Sequence, residues 1–368
     1  MKTIIKFGKW EMSAILINAM STKVFLNFPR TALEVGGTAG WILILYVTLL
    51  SIIGFLIIYM LYKRFNGKDL IDISEYLAGS VGRIISGLII ITVLTLMIIV
   101  ILREFSEDMK TITLISSPLS FVMIFFAAAM AVGAYFGIEA IARCHVIIVP
   151  IIVAAYFLII VGVLPQSDFS QIFPLLGSGT DKIFLQGTVR MSFFAELLIL
   201  FLLTSFAKDN KTVKKAGIIS LTATGLFFLM VVIVYISLFP YPSDLENFLP
   251  LYQIARLIDY GRFLQRVESI FVLIWSSAAF LFLSVSFYLL IHIFTKTFRI
   301  KHYKPLILPF TAIIYALSFI PDGLPEIVQI DAYFVHKYFF IVTFIFTILL
   351  YAAANIKSAG RRRDTSDA

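Results

Sequence analysis

Ile84 to Phe105 reads IISGLIIITVLTLMIIVILREF, and no ionisable side chain interrupts it before Arg103. A helix rises about 1.5 Å per residue, so this run reaches about 33 Å, enough to cross a hydrocarbon core about 30 Å thick. A membrane barrel strand is only about 10 residues of alternating polarity, which this run is not. The same character extends along the chain: of 368 residues, 60% are hydrophobic and 14% charged. Soluble domains are about 45–50% apolar and about 25% charged, so this chain lacks the polar surface to coat a core in water. A soluble enzyme, a disordered chain and a nucleic-acid-binding domain are thereby excluded. The net charge of +8 is scattered between apolar blocks rather than gathered into one patch.

The chain therefore reads as an all-α integral membrane protein of ten transmembrane helices. The expected spans are Glu11 to Phe28, Thr38 to Tyr62, Ile84 to Phe105, Leu119 to Phe136 and Val146 to Leu164, then Gly187 to Ala207, Ala216 to Phe239, Val267 to Phe294, Pro305 to Ile320 and Tyr338 to Asn355. The first apolar block ends in Phe-Pro-Arg rather than a small-residue cleavage site, so no cleavable signal peptide is expected. Lys and Arg set the orientation. With the amino terminus inside, twenty of the thirty fall in inside segments, seven in outside loops and three within spans. Both termini are expected in the cytoplasm, which requires an even number of crossings. Ten crossings divide into halves of about 11–164 and 187–355, within one permease-like domain covering residues 1–368. Transporters built as inverted repeats break the first helix of each half and bind ligand near the midplane. Here the broken helices would be the first and the sixth, although no residue-level repeat is evident.

Two loops have helical character. Asn66 to Arg83 reads as a cytoplasmic interfacial helix capped by Asp72 or Ser74. Ser243 to Arg266 reads as an outer helix that lies on the membrane or docks a partner.

Charged side chains at the centre of a bilayer cost about 2.5–3.5 kcal/mol each and mark functional positions. Lys23 lies midway along the first span, where Asn18, Ser21 and Thr22 can satisfy backbone groups freed by unwinding. Glu196 is its counterpart in the sixth span, where Gly187, Thr188 and Ser192 permit an interruption. A Lys23–Glu196 pair across the two breaks would cancel both charges; a lysine paired for structure alone is the plainer alternative. Arg103 and Glu107 lie at i, i+4, either as an interfacial pair or with Arg103 turned inward toward a ligand carboxylate. Glu104 and Asp108 repeat that spacing one step along. His145, His292, His302 and His336 have no ligand spacing, and no metal or cofactor is expected.

Taken in order, these features resemble the B subunits of bacterial spore germinant receptors, the spore germination family within the amino acid/polyamine/organocation permeases. Phe28-Pro29-Arg30-Thr31-Ala32 is similar to the Leu-Pro-Arg that closes the family's first helix, and Gly40-Trp41 to the entry of the second. Arg103, Glu107 and Pro118 reproduce the family's spacing, as does the Gly137 to Arg143 linker. Pro174, Leu176, Gly177 and Gly179 match its Pro-x-Leu-Gly-x-Gly loop. Glu196, the Phe263, Arg266, Glu268 and Trp275 signature, and Pro321-Asp322 complete the series.

The resemblance implies a receptor rather than an enzyme. It implies a subunit of the spore inner membrane or cell membrane that works with a larger A subunit and a C-subunit lipoprotein and binds a small nutrient such as an amino acid. The site would lie between helices 1, 3, 6 and 8, on Asn18, Ser21, Thr22, Lys23, Arg103, Ser192, Phe193, Glu196 and Trp275. Pro29, Arg30, Glu107, Arg266 and Glu268 would be structural. Three departures stand out: Ser21-Thr22-Lys23 replaces a glycine-rich break, Phe194 stands where the sixth helix often has Gly, and Gln265 replaces a signature Glu. Lys23 then either supplies the carboxylate's partner or fills the pocket. A proton-coupled amino acid permease, titrating on Glu196 or Lys23, is the second reading; a scaffold subunit that binds no ligand is the third.

Overall fold

Hydrocarbon leaves a backbone no option but to satisfy its own hydrogen bonds, and the chain does so in helices. The computed structural model describes residues 6–65, 67–246, 249–258 and 267–364. Among these it contains no sheet, only one bridge in which the Phe7 N–H donates to the Phe206 carbonyl and the Lys208 N–H to that of Phe7. Among the described residues seven helices are long and apolar enough to cross a membrane, and the bent pair Asp181–Phe194 with Leu197–Phe206, at 45°, makes an eighth if it counts as one span.

The first expected span is split. Helix α1 (Lys9–Ser21) gives way to a tight 3-10 turn, Thr22–Phe25, and α2 (Phe28–Gly36) follows with Pro29 in its first turn. The sixth is split as well. A π-helical turn (Asp181–Leu185) and a 3-10 segment (Gln186–Phe194) precede α7 (Leu197–Leu203). The long helices between and after the breaks are α3 (Gly40–Arg64), α4 (Leu70–Ile112), α5 (Leu119–Phe136), α6 (Ile138–Val163) and α8 (Asn210–Leu238).

Helix α4 outruns its expected end at Phe105. Arg103, Glu104, Glu107 and Asp108 suggest an interface, yet the first, second and fourth of these are buried within the helix. Its beginning also differs from expectation. Asp69, not Asp72 or Ser74, is the cap: its carboxylate accepts from the Ile71 and Asp72 N–H groups while Asp72 reaches back to the Asp69 N–H. The chain bends at Ala78–Gly79, where Gly79 adopts φ 63°, ψ −149°, a combination essentially confined to glycine. The short helix before the bend tucks Leu70, Ile71 and Ile73 into the core.

In the loop expected to lie on the membrane, α9 (Pro250–Arg256) buries Leu251, Ile254 and Ala255 in the protein's own core. Its apolar face is thus covered by this chain rather than by lipid or a partner. The central helix is α10 (Val267–Phe298), packed against α4, α5 and α6. After α11 (Ile307–Leu317), the last crossing begins earlier than expected, at Leu324 rather than Tyr338. It comprises α12 (Leu324–Gln329), a π-helical turn (Ile330–Val335), α13 (His336–Phe340), a second π-helical turn (Ile341–Phe346) and α14 (Thr347–Asp364). Asp331, His336 and Lys337 disguise its first half as a loop.

The loop after α6 docks on the junction of α2 and α3. Thr38 donates its hydroxyl to the Pro174 carbonyl at 2.7 Å, and the Ser178 N–H reaches the Gly36 carbonyl. Gly177 takes φ 41° there, and a Cβ on it would sit 2.3 Å from the Gly36 oxygen.

Candidate functional site

Each helix break leaves backbone groups without intrahelical partners and turns side chains across the helix axis. At the first break the Asn18 carbonyl accepts from both the Thr22 N–H and the Thr22 hydroxyl, the latter at 2.7 Å, and the Lys23 carbonyl accepts from the Leu26 N–H. Lys23 thereby leaves the helix face it would otherwise share and crosses to the second break. Its Nζ lies 2.7 Å from Glu196 Oε2, and the two side chains are 4% and 8% exposed. Glu196 is the residue before α7, in the turn that follows the 3-10 segment. Because that segment is not α-helical, Arg190 is free to point elsewhere, donating to the Ala332 carbonyl at 3.3 Å.

Lys23 and Glu196 share a small space with Met97 and Val100 of α4, Phe282 of α10 and Asp331 of the last crossing. Its volume is about 10 Å³, roughly what one water molecule needs. Beside the first break, Asn27, Arg30, Glu34, Gln329 and Tyr333 line a more polar vestibule of about 100 Å³. Asn27 links this vestibule to the interior, donating its side-chain amide to Glu104 Oε1 at 3.3 Å.

The other expected site residues divide. Asn18 holds the Ala278 carbonyl at 3.0 Å, so it ties α1 to α10, and the Ser21 hydroxyl turns back to the Asn18 carbonyl. The Ser192 hydroxyl accepts from the Phe340 N–H at 3.0 Å, joining the second break to the last crossing. Phe193 sits edge-on to Phe28, with ring centroids 4.8 Å apart. Trp275 belongs to a buried aromatic cluster with Phe25, Phe105 and Phe271, beside the first break rather than in the ion-paired space.

Arg103 is not brought to that space. Its fork holds Glu107 at 2.9 Å and the Ser318 carbonyl at 3.0 Å, pinning α4 to the end of α11. Pro29 starts α2, and Arg30 pairs with Glu34 at 3.1 Å. Arg266 and the Glu268 side chain lie outside the described residues.

Three further acids are buried: Asp331 lines the ion-paired space, Glu104 accepts from Asn27, and Asp108 follows one turn along α4. Asp331 lies in a π-helical turn, an irregularity that often accompanies function. Its signal in the sequence is the flanking run Ile327–Val335, which is too apolar for a loop. Oε2 of Glu104 and Oδ2 of Asp108 accept no hydrogen bond among the described residues.

Two interrupted helices whose side chains meet in a buried ion pair are the arrangement of a permease. Residues 8–327 match the family described as spore germination protein. The chain belongs to that family. It is 23% identical over 256 residues to spore germination protein B2 of Bacillus subtilis (strain 168), covering 69% of this chain and 70% of that protein. Spore germination protein YndE of the same organism is 27% identical over 323 residues, 85% of this chain and 86% of its own length. Among solved structures, MhsT in complex with L-phenylalanine superposes with a TM-score of 0.64 at 18% identity, covering 94% of this chain and 86% of that one. This family member thus shares the fold of a membrane transporter. It is an integral membrane protein with a germinant-receptor or permease-like role.

Proposed function

We propose that this chain is the ligand-binding B subunit of a spore germinant receptor and takes a small zwitterionic or polar nutrient at the Lys23–Glu196 pair. The observation that carries the reading is the pair itself, which bridges the two helix breaks inside a space too small for a solute. A ligand carboxylate would replace Glu196 as the partner of Lys23, and a ligand amine would take over Glu196 and Asp331. Entry must therefore part the two broken helices. Binding then favours the open state by the difference in affinity between the two states, which is the free energy available to a signal. The approach is from the outer vestibule, whose floor is Asn27 and the chain around Ala332.

In this reading the chain crosses ten times as a five-plus-five inverted repeat, with α1–α2 and the segment through α7 as the broken pair. Both termini are cytoplasmic and the membrane is the spore inner membrane. The partners are a larger A subunit and a C-subunit lipoprotein. The test is germination of spores lacking this gene, complemented with wild type, Lys23→Met or Glu196→Gln, on a panel of amino acids, sugars and salts. Each variant should slow the response to the cognate nutrient at least tenfold at equal protein level, leaving responses through other receptors intact. Wild-type germination by both variants would sink the reading.

A proton-coupled permease is the second reading, and the buried Glu104, Asp108 and Asp331 favour it. Carboxyl groups placed at membrane depth are the usual parts of a proton relay. Proton-gradient-driven accumulation of an amino acid in proteoliposomes would select it. The scaffold reading draws on the filled space alone. It predicts that no nutrient raises the melting temperature of the purified protein.

A further inference from the structure

A second cavity lies outside the ion-paired space, between α1, α6 and α8. Its volume is about 270 Å³. An apolar cavity of about 150 Å³ already takes up benzene, so there is room here for a ring and a short tail. Asn18, Ser21, Ile152, Tyr156 and Thr224 line it and are buried, whereas Val153, Phe157 and Met230 line it and are exposed on the outer face of the helices. The cavity therefore opens sideways, toward the bilayer that this face meets.

Three of the buried lining residues carry polar atoms without partners. Oδ1 of Asn18, the hydroxyl of Tyr156 and Oγ1 of Thr224 make no hydrogen bond among the described residues. An unpaired buried polar group is unfavourable until something bonds to it. A lipid acyl chain entering from the side would leave all three unsatisfied. No charged side chain lines the cavity, so an ionised ligand finds no partner either. Aromatic rings form much of the wall: Tyr156 stands edge-on to Phe227 at 4.3 Å, the geometry that aromatic pairs favour.

We propose that this cavity is a binding site for an uncharged aryl alcohol or phenol that enters from the bilayer. Its hydroxyl would donate to Asn18 Oδ1 and accept from Tyr156 or Thr224, and its ring would pack among Ile152, Tyr156 and Phe227. The site also touches the first helix break. Tyr156 packs on Phe25 at 4.9 Å, and Asn18 anchors the Thr22 hydroxyl. The inference stands apart from the reading of the Lys23–Glu196 pair and does not need it.

The test uses the full chain in nanodiscs, with 2-phenylethanol as the probe and ethylbenzene, which lacks only the hydroxyl function, as its control at equal membrane concentration. 2-Phenylethanol should raise the melting temperature by at least about 2 °C more than ethylbenzene does. Ala223→Phe, which fills the cavity, should abolish that difference, and Thr224→Val, which removes one hydroxyl, should narrow it. Equal shifts from the two probes, or an Ala223→Phe protein that keeps the full difference, would overturn the proposal. Should Ala223→Phe fail to fold, Thr224→Val decides: a narrowed difference supports the site and an unchanged one refutes it. A phospholipid chain found cross-linked to Tyr156 or Phe227 in the wild-type protein would also refute it.

Discussion

Lys23 and Glu196 are 173 residues apart in the sequence and 2.7 Å apart in space. A buried ion pair is roughly neutral against a well-packed apolar substitute, whereas removal of one partner strands the other and costs about 3–5 kcal/mol. Glu196→Gln alone should therefore lower the melting temperature more than the Lys23→Met, Glu196→Gln double variant. Additive losses in the double-mutant cycle would show that the two side chains do not sense each other. The pair was legible in the sequence because each residue is an ionisable group well inside an apolar span, beside residues that permit a break. Asp331 was not, since one carboxylate near His336 and Lys337 looks like loop polarity until the helix around it is seen. Arg103 shows the converse: its charge drew attention, yet Glu107 and the Ser318 carbonyl occupy its donors.

Elements are set by caps, bends and docking contacts, most of them local. Asp209 caps α8, its carboxylate accepting from the Thr212 N–H at 2.6 Å. The Thr212 hydroxyl and that N–H together hold the Asp209 carboxyl below its ordinary value of 3.8. A depressed acid contributes stability that is complete above its unfolded value and is lost as the pH falls through the folded one. Acidification from about pH 5 to about pH 3 should thus release the start of α8. Asp209→Asn, which still caps but does not titrate, should flatten that part of the melting curve. Identical pH profiles for the two proteins would contradict this role.

The two loop glycines separate two causes of strain. A Cβ on Gly79 would meet no atom within 4 Å, so Gly79→Ala carries only the backbone penalty of about 1–3 kcal/mol. Gly177→Ala adds a clash with the Gly36 carbonyl and should cost more. Thermal unfolding of both variants checks the order. Glycine spacing announced the Gly177 loop, but not the surface it docks on. Helix starts were less legible, because Asp69, Asp72 and Ser74 are all competent caps and only the reciprocal bonds distinguish the first.

At the scale of the whole molecule the testable quantity is orientation. Cys144 is the only cysteine in the chain and is exposed near the start of α6. In the orientation expected from the lysine and arginine distribution, that end of α6 faces the cytoplasm. A membrane-impermeant maleimide should then label Cys144 in inside-out vesicles and spare it in right-side-out ones. The opposite pattern would invert the topology and move the Asn27–Arg30–Tyr333 vestibule to the inner side.

Residue order alone established that this chain lives in a membrane, roughly where it crosses, and which charges could not be accidental. These are consequences of composition and of the energy of transfer into hydrocarbon, which each segment meets on its own. Folding decided what no single segment contains: that the two breaks face each other, that Asp331 joins them, that Arg103 is occupied elsewhere, and how little room is left between them. The physical reason is distance along the chain, since such contacts depend on how several rigid helices pack at once. A polar side chain within a span shows that it needs a partner, and only the packed structure shows which one it has.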